Sequence, residues 1–175
     1  MIEILNKDEI KITRNEKNKY VTEIDIREGK LDVRKLFQFD KLYILKELNA
    51  DIIEKLEVSN STSDCATILV LYKHFFKELG FSKFGIFLNV VKNENENFIE
   101  FTALNNLSIV NENTDYTVLP IETMVIQILK KNDNSTKIIL DTFINVSFEI
   151  PPSIEKLVLQ FVHKIFTRIK QFIEN

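Results

Sequence analysis

One cysteine, Cys65, and two histidines, His74 and His163, are the residues of this chain whose chemistry would be most telling. Cys65 and His74 share the stretch SDCATILVLYKHFFKELG, which runs from Ser63 to Gly80. A thiol in the first turn of a helix is acidified by free backbone N–H groups, and an imidazole within reach would complete a nucleophilic pair. With Ser63 or Asp64 as N-cap and Gly80 as the terminating glycine, the stretch predicts a helix. That helix separates the two groups by about 180° around its axis and roughly 13 Å along it. Asp64 beside the thiol also opposes thiolate formation. Cys65 is then expected on an apolar face with Ile68, Leu69, Tyr72, Phe75, Phe76 and Leu79, as a small core hydrophobe. An enzyme built on Cys65 would need a histidine delivered by tertiary folding.

Other chemistry is scarce. His74 and His163 both fall at the centre of polar helix faces and are expected to be solvated; no HExxH spacing or cysteine pair signals a metal. Glycine occurs only at 29, 80 and 85, which excludes the G-x-G-x-x-G and G-x-x-x-x-G-K-[ST] phosphate loops. No G-x-S-x-G, kinase or deaminase motif exists. Glu47, Asp51, Glu54 and Glu57 read as one solvated acidic face. Lys156, His163, Lys164, Arg168 and Lys170 read as the exposed stripe of a last helix. The expectation is a non-enzymatic protein with no catalytic residue, cofactor or metal site.

The elements that must position these residues follow from composition and period. At 175 residues, 45% hydrophobic and 28% charged, with 14 Phe and only 3 Gly and 3 Pro, the chain is expected to fold as one domain, 1–175. A net charge of −3 argues against a nucleic-acid partner. The opening MIEILNKDEIKI lacks the apolar core of a secretory signal, and nothing approaches about eighteen uninterrupted apolar residues, so no membrane span is expected. A lone cysteine excludes a disulfide framework and suits an intracellular, cytoplasmic setting. Asn, Lys and Ile are abundant, as AT-rich coding gives.

Residues 9–14 and 20–27 predict strands, with Tyr20, Thr22, Ile24 and Ile26 on one face and a turn at Gly29. Leu45, Leu48, Ile52 and Leu56 recur at helical spacing and predict one helix or two short ones over residues 40–56. After the helix at 64–79, residues 84–91 and 98–104 predict a hairpin with Ile99, Phe101 and Ala103 inward. A short strand at 107–110 follows, then 116–131 with Pro120 at an edge or a bend. Residues 136–150 alternate over a length that calls for curvature or a bulge, and a long helix opens at Ser153.

The expected fold is therefore α+β: a curved antiparallel sheet of about six or seven strands packed on a long C-terminal helix, with two further helices between the N-terminal strands and the main sheet. The order of elements resembles the helix-grip arrangement, in which a curved sheet wraps a long C-terminal helix and often encloses an apolar cavity. No sequence motif supports more than this analogy of order. The apolar arc of the last helix, which includes Ile154, Leu159, Val162 and Ile165, covers about 200°, where a surface helix needs about 100°. The leading expectation is a protein-interaction or structural subunit that self-associates or joins a partner through Phe161, Phe166, Ile169 and Phe172, with Val70 or Phe75. The alternative is a protein that binds a small hydrophobic ligand between sheet and last helix, with Tyr116, Thr142 or Gln127 as polar groups. Packing decides between them: a filled interior leaves the extra flank for a partner, and a cavity favours a ligand.

Overall fold

The computed structural model describes residues 1–27, 31–75, 77–106, 115–132, 134–145, 147 and 149–175. β1 (Ile2–Lys7) and β2 (Ile10–Glu16) join through Asp8 and Glu9, both at positive φ (56° and 61°), a turn hand that matches the twist of paired strands. β3 (Lys19–Arg27) returns along β2, placing Ile24 opposite Ile10 and Tyr20 opposite Arg14. Its alternation is the one expected, and Tyr20, Thr22, Ile24 and Ile26 are buried.

Two short helices follow. α1 (Val33–Leu36) is capped by Asp32, whose Oδ1 accepts the Arg34 N–H, and α2 (Leu42–Leu48) comes after a 3-10 turn at Phe39–Lys41. The helix does not continue to Leu56. Asn49 is fully buried, donates from Nδ2 to the Leu45 carbonyl, and accepts the Ile52 and Ile53 N–H groups on its own carbonyl. This knot ends α2 and releases β4 (Ile53–Ser59) to the sheet.

Residues 64–79 are not a helix either. β5 (Cys65–Tyr72) is a strand between β4 and β6 (Lys83–Glu94). Its run ATILVLY is apolar on both faces, so period alone cannot separate strand from helix, and the β-branched Thr67, Ile68 and Val70 favour the pleat. Thr62 Oγ1 accepts the N–H groups of Asp64 and Cys65, a local turn that leads into the strand. The two helices ahead of the main sheet are thus α1 and α2.

β6 and β7 (Phe98–Asn105) form the predicted hairpin, with Ile99, Phe101 and Ala103 buried. β8 (Tyr116–Val118) and β9 (Ile121–Asn132) flank Pro120, and β8 runs parallel to the start of β6. Gly85 permits that approach: a Cβ there would stand 2.7 Å from Leu71 Cδ2 and 3.1 Å from Tyr116 Cδ2. β10 (Ser135–Ile144) is the long alternating strand, shorter than predicted, with register shifts against β9 at both ends. The turn at Gly29 and the strand at 107–110 lie outside the described residues.

The sheet runs β1-β2-β3-β10-β9-β7-β6-β5-β4, with β8 added along β6. Its ten strands exceed the predicted six or seven because β1, β4 and β5 lack a clean alternation of apolar and polar residues. The N-terminal strands belong to this sheet through the β3–β10 pair. It curves about α3 (Pro152–Glu174), whose N-cap is Pro151 rather than Ser153. One cross-strand row, Ile10–Ile24–Ile138–Ile128–Ile99, forms the centre of the core, every member at 0–2% exposure.

Candidate functional site

A belt of polar contacts fixes one flank of α3 to the first three strands. Glu155 Oε1 accepts hydrogen bonds from the Tyr20 hydroxyl at 2.6 Å and from Arg14 Nη1 at 2.7 Å. His163 Nε2 lies 3.6 Å from the Asp8 carboxylate. Lys170 Nζ donates to the Asp25 carbonyl at 2.7 Å and pairs with Glu9 and Glu174, and Glu174 accepts the Arg27 N–H. Burial and the Glu155 partner push the Tyr20 phenol above its ordinary range. Burial works against the Lys170 charge, but the bonds to Glu174 and Glu9 outweigh it and hold the ammonium above its usual value. The stripe expected to be solvated is therefore partly a tertiary clamp: the side chains of His163 and Lys170 are 15% and 10% exposed.

Beyond this belt α3 stands away from the sheet, leaving a cavity of about 210 Å3. Its floor comes from five strands: Leu56 of β4, Val70 of β5, Val90 of β6, Ala103 of β7 and Ile126 of β9 among them. Ile165, Phe166 and Ile169 of α3 form one wall, and Leu36, Phe37, Leu42, Leu45 and Leu48 cover it from α1 and α2. Among the described lining residues only Gln38 and Lys41 are polar.

The cover is held at both ends. Phe39 packs edge-on against Phe101, centroids 5.7 Å apart. Arg34 donates to the Glu94 carboxylate at 3.0 Å and to the carbonyls of Asn95 and Glu96, while Lys92 Nζ donates to Gln38 Oε1 at 2.8 Å. The bond from Arg34, with Lys92 behind it, holds the Glu94 carboxyl below its usual range. At the far end Arg168 Nη2 and Lys164 Nζ meet Asp51 at 3.0 and 2.7 Å, and Arg168 also donates to Asn49 Oδ1 at 3.2 Å. These two cations hold the Asp51 carboxyl well below its usual range.

The residues singled out from the sequence are dispersed. Cys65 is exposed at the start of β5, not in the core, and its Sγ lies 3.2 Å from Thr62 Oγ1. His74, past the end of that strand and not on a helix, meets the Phe81 carbonyl at 2.7 Å. Cys65 opens the strand and His74 lies two residues past its end at Tyr72, so the strand, roughly 23 Å long, holds them at opposite ends. Phe166 and Ile169 line the cavity, Phe161 packs on Phe75 at 4.5 Å, Phe172 is exposed, and Val70 lies in the floor. Of the proposed polar groups, Gln127 donates to Glu100, and Tyr116 sits beside Gly85. Thr142 pairs with Met124 and Tyr20 without lining the cavity. Gln38 and Lys41, which do line it, carry no spacing signal in the sequence. Among the described residues no group of three or more His, Cys, Asp or Glu is placed to hold a metal, and no helix is long and apolar enough to cross a membrane.

No protein-family model and no curated protein matches the sequence. Solved structures do match the fold. The human StarD13 lipid transfer and protein localization domain superposes with a TM-score of 0.72 over 98% of this chain and 88% of its own, at 7% identity. Human STARD10 gives a TM-score of 0.71 over 95% of this chain and 71% of its own, at 7% identity. A STAR-related lipid transfer protein fragment from Xanthomonas axonopodis gives 0.66 over 99% and 98%, at 9% identity. The fold is the helix-grip fold of these proteins: a curved antiparallel sheet and a C-terminal helix. This overturns the leading expectation, an oligomeric or protein-interaction subunit acting through the arc of α3. The extra flank of that helix is the wall of a cavity, in a fold shared with proteins named for lipid transfer.

Proposed function

We propose that the protein binds a small, largely apolar molecule in the cavity between the sheet, α2 and α3. The observation that carries this reading is the lining: apolar side chains from five strands, the three α-helices and the 3-10 turn around about 210 Å3, with two polar residues at one end. That is the composition of a small-molecule site. An engineered apolar cavity of about 150 Å3 stays dry and takes up benzene, so this volume suffices for an apolar guest. It falls below the ~300–1,000 Å3 of sites for drug-sized ligands, which favours a single chain or small ring over a two-chain lipid.

The reading is of a binding protein rather than an enzyme, since the described lining holds no thiol, hydroxyl, imidazole or carboxylate. Likeness to folds named for lipid transfer supports it. The exposed free thiol of Cys65 suits a reducing, intracellular setting.

Titration with the neutral fluorescent probe N-phenyl-1-naphthylamine tests the proposal. The wild type should bind it saturably, and Ala103→Leu, which adds bulk to the floor, should bind about tenfold more weakly with an unchanged circular dichroism spectrum. No binding by the wild type, or equal binding by both proteins, would sink the proposal.

A further inference from the structure

The mouth of the cavity narrows the class of ligand, an inference that rests on the ligand-binding reading above. Gln38 and Lys41 border both the cavity and an open charged depression shared with Asp32, Arg34, Lys35 and Glu94. Gln38 is engaged at both ends of its amide: Nε2 donates to the Arg34 carbonyl at 3.0 Å and Oε1 accepts from Lys92 at 2.8 Å. Arg34 is engaged by Glu94 and two carbonyls, and Lys92 by Gln38 and Glu94. Lys41 differs. Among the described residues its ammonium meets only the Asp40 carboxylate, at 3.5 Å, and that side chain is 72% exposed. Such a contact is worth little in water, so most of the three donors of the ammonium remain available.

We infer that the ligand is an amphipathic monoanion, a carboxylate on a single apolar chain, whose head binds Lys41 at the mouth while the chain fills the cavity. An apolar chain alone would leave the one cation of the lining unanswered. The cations of the depression, Arg34, Lys35 and Lys41, are equalled in number by Asp32, Asp40 and Glu94. A head with one negative charge is matched by Lys41 in exchange for Asp40. A phosphate monoester, with about −1.5 to −2 charges, would confront those three carboxylates. The Lys41 side chain makes no capping bond to α2, so its removal should leave the helix intact.

The test is displacement of N-phenyl-1-naphthylamine by decanoate and by 1-decanol, below the micellar range, from wild type, Lys41→Met and Lys46→Met. Lys46 lies on α2 outside the lining, so its substitution removes the same charge without touching the mouth. The wild type and Lys46→Met should prefer the acid about tenfold, the scale of one charge-assisted hydrogen bond. In Lys41→Met the preference should vanish through loss of acid binding, with the alcohol unchanged. Added salt should weaken the acid alone. Equal affinity of acid and alcohol in the wild type, or an acid preference that survives in Lys41→Met, would overturn the inference and leave the cavity reading standing. Displacement by neither ligand would overturn the chain-and-carboxylate assignment. Failure of the probe itself to bind would remove the cavity reading and this inference with it.

Discussion

Across β2, β3, β10, β9 and β7 the inner face of the sheet carries five isoleucines at 0–2% exposure, while towards β5 and β4 the same face carries Ile68, Val70 and Leu56, which are only half-buried. Both regions are apolar and strand-built. They differ in how α3 is tied to them. On the filled side Glu155, His163, Lys170 and Glu174 reach β1, β2, β3 and their turns along most of the helix. On the hollow side Lys164 and Arg168 reach only the turn between α2 and β4. A stiff helix clamped along one flank cannot also settle on the opposite arm of a curved sheet. The gap is covered by α1 and α2 instead of being closed. Polar placement, not apolar content, thus separates core from cavity.

The largest expected effect tests that contrast directly. Ile138→Ala, in the filled row, should cost about 3–4 kcal/mol, because close-packed surroundings cannot collapse around the lost atoms. Ile126→Ala, on the neighbouring strand but lining the cavity, should cost about 1–2 kcal/mol, since part of its surface already lacks packed neighbours. Urea unfolding measures both, and equal costs would break the comparison.

Bulk added rather than removed sharpens it. Ala66→Leu, at a position 4% exposed and outside the cavity lining, should lose about 1–3 kcal/mol through overpacking. Ala103→Leu should be neutral or stabilising, with a raised Tm, because the added carbons enter open volume. A matching loss at both positions would mean that the cavity does not yield room.

The two polar attachments of α3 should differ as well. Glu155→Ala leaves the half-buried Arg14 and the buried Tyr20 without their shared acceptor, and about 1–2 kcal/mol of stability should go. Asp51→Asn, at a side chain 49% exposed, should remove at most about 1 kcal/mol after solvent screening. If Asp51 proved the costlier loss, the hollow flank would be the real anchor.

The smallest effect is one of pH. Arg168 and Lys164 depress the Asp51 carboxyl in the folded state, so its contribution is fully present above the ordinary value of 3.8. It declines as pH falls through 3.8 towards the depressed folded value. The deficit of Asp51→Asn should therefore shrink in acid, and a deficit of constant size from about pH 7 to about pH 2 would show that charge is not what ties this turn.

Where one face of an element meets core and the other meets water, the sequence is readable. Tyr20, Thr22, Ile24 and Ile26 alternate with Val21, Glu23 and Asp25 and form the predicted strand; Ile99, Phe101 and Ala103 do the same in β7. β5 was legible only as an apolar run, since Leu69 and Leu71 on one face match Ile68 and Val70 on the other, and both periods fit. Leu56 sits at helical spacing from Leu45 by coincidence, with Asn49 breaking the helix between them. The width of the apolar arc on α3 announced that the helix is buried on more than one side, but not whether protein or a ligand covers the extra flank. Gln38 and Lys41 gave no signal at all, being ordinary polar residues around a short turn.

By itself, then, the sequence determined the order of most elements, the α+β class and the buried faces, because these follow from local period and from the free energy of removing apolar side chains from water. That the apolar flank of α3 borders a cavity, with Lys41 between it and the open depression, emerges from the folded arrangement alone. Those facts depend on where a clamp such as Glu155–Tyr20 stops the helix relative to the sheet. That is a relation between residues more than a hundred positions apart, to which local pattern is blind.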